Sequence, residues 1–145
     1  MKLAVFIVAL LAVSVSCQTQ NTIEACMNDL KADTSFVKDL ATAVQTKNVL
    51  QIVVQITMAQ PMIDKTNTDC RNMKKADILN FSTTLFNGKE KECLVTVLAT
   101  VNAATALKKD NDQKNYIQVI QDLAMLTTSI NDTKAKCNGV FGLVF

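Results

Sequence analysis

The side chains in this chain that could perform chemistry are its cysteines and carboxylates, because it contains no histidine. That absence excludes Ser-His-Asp triads, histidine general bases and histidine-ligated metals. Two carboxylates in a cleft could run a glycosidase. We expect the acids at helix ends or in a polar turn, where a solvated surface role is the usual one. The acids considered for such a role are Glu90, Glu92, Asp110, Asp112 and Asp122. The sequence therefore predicts a protein that is not an enzyme and has no cofactor.

One acidic segment, Asp110-Asn111-Asp112, begins like a calcium-binding loop. The pattern then fails, since Lys114 occupies a ligand position, Asn115 replaces the turn glycine and Gln121 replaces the bidentate glutamate. A charged turn with no metal is therefore predicted.

Two N-glycosylation sequons are present, at Asn80-Phe81-Ser82 and at Asn131-Asp132-Thr133. Their use requires exposure and a eukaryotic secretory route. Asn80 and Asn131 are the candidate glycosylation sites.

The first 17 residues have the features of a secretory signal peptide: a basic start, an apolar run from Leu3 to Val13 and small residues up to Cys17. The run is shorter than the roughly 20 apolar residues of a membrane-spanning helix. We predict cleavage near Cys17, with Ser16 as the nearest competing site. The product, residues 18–145, would be extracellular or in the lumen of the secretory pathway. The alternative is a lipoprotein with lipid on Cys17, although Ser14 stands where a Leu-like residue is usual.

Removal of the signal leaves four cysteines, Cys26, Cys70, Cys93 and Cys137, an even number in an oxidising compartment. Cys26 and Cys70 are 44 positions apart in the sequence, and Cys93 and Cys137 have the same separation. Equal spacing favours these two pairs as disulfides. The nested pairing, Cys70 with Cys93 and Cys26 with Cys137, is the competitor, because all four cysteines could meet at one end of a bundle.

The chain contains an apparent internal repeat, in which a shift of 67 positions superposes Cys26 on Cys93 and Cys70 on Cys137. The same shift places Lys47-Asn48 on Lys114-Asn115, and apolar positions match between them. We predict repeat one over about 23–70, a linker helix over about 73–87, repeat two over about 90–137 and an apolar tail over 138–145. The tail is expected to fold back onto the protein, and a contact between subunits is the alternative.

Each repeat is predicted to be a helix, a turn and a second helix, because apolar residues recur at three- and four-residue intervals. The β-branched run Ile52-Val53-Val54 favours a strand, but the longer pattern favours a helix. Pro61 should kink or divide its helix, whereas Thr128 at the equivalent position should not. Asn87-Gly88 is expected to end the linker helix. The predicted fold is an all-α four-helix bundle of two duplicated, disulfide-stapled helical hairpins in a single domain. The inward positions expected on the four main helices include Ile23, Met27, Leu30, Val37, Ala41, Val44, Val49, Ile52, Val53, Ile56, Ile63, Leu94, Val97, Leu98, Val101, Ala104, Leu107, Ile117, Ile120, Leu123, Ala124, Thr127 and Ile130.

The segments Cys26-Met27-Asn28-Asp29-Leu30 and Asp69-Cys70 resemble those of small secreted helical proteins of ciliates, with Cys93 and Cys137 repeating the frame. Repeat two departs from the pattern, since Leu94 to Val97 lacks the Asp and Lys136 precedes Cys137. The resemblance implies secretion and Cys-bounded helical hairpins, and it implies no activity.

Three functions are consistent with these features. The leading interpretation is a secreted, non-enzymatic helical interaction protein: an extracellular signal, coat or matrix component. The second is a carrier of a lipid or other apolar ligand between the helices, suggested by Met27, Met58, Met62, Met73 and Met125. The third is an inhibitor of a secreted hydrolase. A net charge of +2 argues against nucleic acid as the partner, and no membrane span is expected in the mature chain.

Overall fold

The computed structural model describes residues 22–145, which form seven helices and no strand. The predicted signal peptide, including Cys17, lies outside the described residues. Numbered in chain order, the helices are α1 (22–32), α2 (Thr34–Gln45), α3 (Val49–Met58), α4 (Gln60–Asp69), α5 (Lys75–Leu79), α6 (Gly88–Asp112) and α7 (Tyr116–Cys137).

The first predicted helix is divided at Asp33, which separates α1 from α2. The hydrogen-bond ladder passes through the division, since Asp33 N donates to Asp29 O at 2.9 Å and Val37 N donates to Asp33 O at 3.0 Å. The Thr34 hydroxyl also donates to Lys31 O at 2.7 Å. Side-chain bonding of this kind competes with the regular helix and bends it. The prediction of one uninterrupted helix was therefore wrong at this residue.

The second predicted helix is divided at Ala59 into α3 and α4, and Pro61 lies in the first turn of α4. Proline is tolerated there because its missing N–H would have no partner in a first turn. In α7 the equivalent position holds Thr128, and the helix is continuous from Tyr116 to Cys137. The predicted effect of Pro61 is confirmed. The run Ile52-Val53-Val54 is helical, as its longer apolar spacing indicates.

Two short turns connect α2 to α3 and α6 to α7, and they share the same local chemistry. Lys47 and Lys114 have positive φ, at 57° and 58°. The Asn48 side chain accepts a hydrogen bond from Gln51 N at 3.3 Å, and the Asn115 side chain accepts one from Gln118 N at 3.4 Å. Each asparagine therefore caps the following helix. Helix α6 extends to Asp112, so only residues 113–115 connect it to α7.

The linker contains a helix of only five residues, α5 (Lys75–Leu79), instead of the predicted 73–87. Asn87 does not end it. Asn87 is extended and caps α6, accepting from Glu90 N at 2.8 Å while its own N–H donates to Glu90 Oε1 at 2.9 Å. This reciprocal capping box begins a helix at Gly88, where the sequence had suggested a helix end.

All seven helices contribute buried apolar side chains to one core, including Met27 of α1 and Ile63 of α4. Helices α2 and α6 contact each other, and each of them also contacts α3 and α7. Within the described residues, α3 and α7 do not contact each other. The pair α2 and α6 therefore separates α3 from α7. No helix within residues 22–145 has the length and apolar character needed to cross a bilayer.

The structure contains the disulfides Cys26–Cys70 and Cys93–Cys137, with Cα atoms 4.8 Å and 4.7 Å apart. This is the favoured pairing, and the nested alternative does not occur. All four cysteines are buried, so each one fixes which side of its helix faces inward. Counting back from Cys137 in steps of three and four residues gives the buried side of α7, which is Thr133, Ile130, Leu126, Asp122 and Val119.

That rotation corrects the predicted inward side of α7. Ile117 and Ile120 were expected to face the core, but they are 78% and 70% exposed, and Ala124 is also exposed. Their apolar character alone suggested burial. The disulfide at Cys137 instead turns Val119 and Asp122 inward, and the two isoleucines face solvent.

The apolar tail folds back in part. Leu143 is buried, and the Phe141 ring meets the Phe86 ring edge to face, with centroids 6.2 Å apart. Lys31 Nζ lies 5.4 Å from the centre of the Phe141 ring. The last two residues, Val144 and Phe145, stay exposed.

Candidate functional site

Two of the five acids considered from the sequence have structural partners at the surface. Glu90 belongs to the capping box of α6. Asp112 forms an ion pair with Lys108 at 2.8 Å, one turn away on the same helix, and Glu92 is exposed. Because α6 runs to Asp112, the segment Asp110 to Asp112 is helical and cannot wrap around a cation as a loop. Among residues 22–145, no group of three or more acids or cysteines is placed to hold a metal.

Asp122 is the exception, since it is 4% exposed where a solvated side chain was predicted. Gln118 Nε2 donates to Asp122 Oδ1 at 3.3 Å, and Asp122 Oδ2 has no hydrogen-bond partner. Asp110 of α6 faces it. The interaction with Asp122, together with desolvation, raises the pKa of Asp110.

A second group of ionisable side chains lies between α1 and α4, beside the Cys26–Cys70 disulfide. Lys65 Nζ contacts Asp29 at 2.7 Å and Asp69 at 3.1 Å. Burial, and then the neighbouring Asp69, raise the pKa of Asp29, whereas hydrogen bonds from Asp29 and Lys65 lower that of Asp69. The same two acids raise the pKa of Lys65. Lys65 therefore lies between the two acids and forms an ion pair with each of them.

Asp33 is the most deeply buried member of this group, with no exposed surface. The Thr66 hydroxyl donates to Asp33 Oδ2 at 2.6 Å, while Asp33 Oδ1 has no partner. Desolvation raises the pKa of Asp33 to about 6, and the bond from Thr66 opposes this rise. Neither Asp33 nor Thr66 was predicted from the sequence to face inward. Counting from Cys26 and Cys70 in helical steps would have placed them inward.

The predicted glycosylation sites are both accessible: Asn80 follows α5 and Asn131 lies on the outer side of α7. The methionines proposed to line an apolar pocket do not gather into one. Met27 is fully buried in the core, Met58 and Met125 are 73% and 62% exposed, and Met62 and Met73 are partly buried.

The outer side of α3 forms the first large apolar surface, which we call the α3 face (Leu50, Val54 and Met58). These side chains are 73%, 42% and 73% exposed. Their four-residue spacing aligns them in one row along the helix. The chain has no charged residue between Lys47 and Asp64. Helix α3 itself therefore carries no charge, and Asp39 of α2 lines a groove together with Met58 at the end of the α3 face.

The outer side of α7 forms a second such surface, the α7 face (Ile117, Ile120 and Met125), whose side chains are 78%, 70% and 62% exposed. Between Lys114 and Asp132 the only charged residue is Asp122, which is buried. Leu50 and Met58 correspond to Ile117 and Met125 under the 67-residue shift. The sequence shows both of these nearly uncharged segments, 48–63 and 115–131. Their lack of charge could have identified both faces before the structure was known.

A groove of about 490 Å³ lies between α2 and the chain end. Lys38 and Lys134 contribute positive charge, and Ala41, Val144 and Phe145 contribute apolar surface. Such a groove can accept a molecule with an anionic head and a short apolar part.

The chain matches no protein-family model, no curated protein sequence and no solved structure.

Proposed function

We propose that this protein is a secreted, non-enzymatic interaction protein that binds protein partners through the α3 face and the α7 face. The observation that carries the proposal is the exposure of six large apolar side chains on two helix sides that show no charge. Contiguous exposed apolar surface on a soluble protein usually marks a binding surface.

The energetics favour binding at these faces. Fully burying one Leu, Ile, Val or Met side chain stabilises a contact by about 1.5–3 kcal/mol. Leu50, Met58, Ile117 and Ile120 each have more than two thirds of their surface available for such burial. Because the side chains of both faces are uncharged, a partner that leaves Asp39 beside Met58 in contact with solvent can cover them without the desolvation penalty that buried charges impose.

Secretion is supported by the apolar leader and by the two disulfides, since disulfides persist mainly in oxidising compartments. The absence of histidine and the structural roles of Glu90 and Asp112 support a non-enzymatic role.

We also propose that the fold is a four-helix bundle of two duplicated hairpins. Beyond the disulfides, the caps Asn48 and Asn115 support it. A buried hydrogen bond that recurs after the 67-residue shift also supports the duplication. Thr66 bonds to Asp33 at 2.6 Å, and Thr133 lies 3.1 Å from Thr100 at the equivalent positions. Hydrogen-bonded pairs at matching buried positions are expected if one hairpin was copied.

The test compares secreted wild-type protein with a four-lysine variant, Leu50→Lys, Met58→Lys, Ile117→Lys and Met125→Lys. We expect N-terminal sequencing of the secreted protein to give a start near residue 18. In the fluid into which the source cells secrete it, the wild type should elute in size-exclusion chromatography as a complex, and the variant as a monomer. Intracellular retention, or identical monomeric elution of both proteins, would contradict the proposal.

A matched control, Asn28→Lys with Ala32→Lys, places two lysines at exposed positions of α1. It should elute with the wild-type complex. If this control also dissociates the complex, added charge in general is responsible and the two faces are not.

The groove between α2 and the chain end supports a second candidate function, transport of an amphipathic anion. Lys38 and Lys134 would hold the anionic head, and Val144 and Phe145 would contact the apolar part. Titration of the secreted protein with oleate, followed by native mass spectrometry, tests this candidate. One bound oleate that is lost in Lys38→Glu supports it, and equal binding to both proteins contradicts it.

A further inference from the structure

We propose that Asn80 carries an N-linked oligosaccharide in the secreted protein and that Asn131, in the second sequon, stays unmodified. This inference rests on secretion, which is part of the proposed function, because oligosaccharides are transferred to asparagine in the secretory pathway. It adds a covalent modification site to the two binding faces.

The modification exchanges one bond for another and changes no oxidation state. The side-chain nitrogen of Asn80 attacks the anomeric carbon of an oligosaccharide that is held on a lipid pyrophosphate. A carbon–nitrogen bond forms, the anomeric carbon–oxygen bond breaks, the lipid pyrophosphate leaves, and the amide nitrogen releases one proton to solvent. The transferase recognises the hydroxyl of the third sequon residue as well as the asparagine, so both side chains have to be accessible to one enzyme.

The first sequon lies where the chain leaves a helix. Asn80 is the C-cap of α5, its N–H donates to Ala76 O at 2.9 Å, and residues 81–87 belong to no helix. Asn80 and Ser82 are both exposed. The Asn80 side chain and the Ser82 hydroxyl form no hydrogen bond with any residue of 22–145, so an enzyme can bind both without breaking a contact. A surface loop is the context in which a sequon is used.

The second sequon lies inside α7, which changes what an enzyme can reach. Residues two apart on a helix point to opposite sides, so Asn131 faces solvent while Thr133 is buried. The Thr133 hydroxyl donates to Ser129 O at 2.8 Å and lies 3.1 Å from Thr100 Oγ1 of α6. An enzyme that contacts Asn131 therefore cannot contact Thr133 while α7 is packed on α6.

Folding makes the second sequon inaccessible early. Helices α6 and α7 are neighbours in the sequence, and only residues 113–115 connect them. Helical proteins with such local contacts fold in microseconds to milliseconds, whereas synthesis adds about 5–20 residues per second. Helix α7 therefore packs on α6 soon after it is made, and the Cys93–Cys137 disulfide then holds it there. The sequon at Asn80 stays accessible after folding, so it has much longer to react.

An unmodified Asn131 keeps the α7 face open to a partner. Asn131 is 11 residues beyond Ile120, which is about three helical turns, so both residues point to the same side of α7. An oligosaccharide on Asn131 would be bulky and would cover that side. Asn80 belongs to the linker instead, and among the described helices α2 to α7, α5 contacts α6 alone. Modification at Asn80 is therefore compatible with binding at the α7 face.

The experiment is mass spectrometry of the wild-type protein that the source cells secrete. An amidase removes N-linked oligosaccharides in heavy-oxygen water and converts each modified asparagine to a labelled aspartate. Trypsin then places Asn80 on peptide 76–89 and Asn131 on peptide 115–134, and fragment spectra locate the label within each peptide. We expect the label on Asn80 and none on Asn131.

Variants check the assignment and its physical reason. Asn80→Gln should remove the whole oligosaccharide mass from the secreted protein, whereas the matched control Asn131→Gln should keep it. Ile130→Pro breaks α7 beside its sequon, because the interior of a helix does not accommodate proline. Thr133 is then released from the core. Asn131 should become labelled in total cell protein, which includes the copies that the cell retains.

Three results would each overturn the inference: secreted protein with no label on Asn80, equal labelling of both sites in the wild type, or an unlabelled Asn131 in Ile130→Pro. The proposed function is tested separately. The four-lysine variant keeps both sequons, so its loss of a complex is measured whether or not Asn80 is modified. Wild-type protein that stays inside the cell contradicts the proposed function instead, because secretion is part of it.

Discussion

Replacement of Asp33 by asparagine is expected to remove most of a gain in stability that the wild type shows as the pH falls. Asp33 is fully buried, and desolvation raises its pKa to about 6 from an ordinary value of 3.8. In the native state the neutral acid can donate to the Thr66 hydroxyl, which can then donate to Met62 O, 3.1 Å away. The neutral form is therefore well accommodated, whereas the ionised form is buried with one oxygen unpaired.

The sign follows from proton binding. As the pH falls through about 6, the folded protein takes up a proton on Asp33, while the unfolded chain takes it up only near 3.8. Stability therefore rises over this window. Linkage gives a gain of about 1.4 kcal/mol between pH 7.5 and pH 5. For a chain of this size the corresponding rise in Tm is about 5 °C.

Thermal unfolding followed by circular dichroism at pH 7.5, 6 and 5 measures this gain. The wild type should become more stable, and Asp33→Asn should keep only the smaller gain from Asp29 and Asp110, whose pKa values are also raised. Asp39→Asn, at an exposed position of α2, is the matched control and should follow the wild type. Parallel profiles for the wild type and Asp33→Asn would refute the assignment, and so would a fall in wild-type stability from pH 7.5 to pH 5.

Four further variants test the fold by urea denaturation. Replacing Cys93 and Cys137 by serine should lower the free energy of unfolding by about 4 kcal/mol, because a loop of this length is freed in the unfolded chain. Lys114→Gly should raise it by up to about 1 kcal/mol by relieving the positive φ of 58°, whereas Lys109→Gly within α6 should lower it by about 1 kcal/mol. Asn115→Ala should lower it by about 1 kcal/mol through loss of the α7 cap. Opposite signs for the two glycine variants would contradict the turn geometry.

The sequence predicted the all-helical fold because apolar residues recur at helical spacing, and it favoured the observed disulfides because their spacings are equal. It predicted the interruption at Pro61 from covalent geometry. The prediction that Asn87-Gly88 ends the linker helix was wrong, because the same two residue types can end one helix or begin the next. Asn87 begins a helix here because Glu90, three residues later, completes a capping box with it. A pattern of two residues does not include Glu90.

The candidate faces were not predicted, because an apolar residue on a helix was assigned to the core by its type. Ile117 and Val119 are nearly equivalent in type, but 78% and 4% of their surfaces are exposed. They differ because the buried Cys137 fixes the rotation of α7 about its axis, which turns Val119 toward the core and Ile117 toward solvent. Asp33 and Asp122 were missed for the same reason. Their polar side chains suggested the surface, whereas their register with the cysteines places them inside.

The measurement that tests the central claim most directly is site-specific photo-crosslinking of the secreted protein in its source fluid. A photo-crosslinking amino acid is placed at Ile117 on the α7 face, at Leu50 on the α3 face, and at exposed Lys89 as a control. The account predicts adducts of increased protein mass from positions 117 and 50, and none from position 89. Equal crosslinking at all three positions, or none at 117 and 50, would contradict the claim that these uncharged faces bind a protein partner.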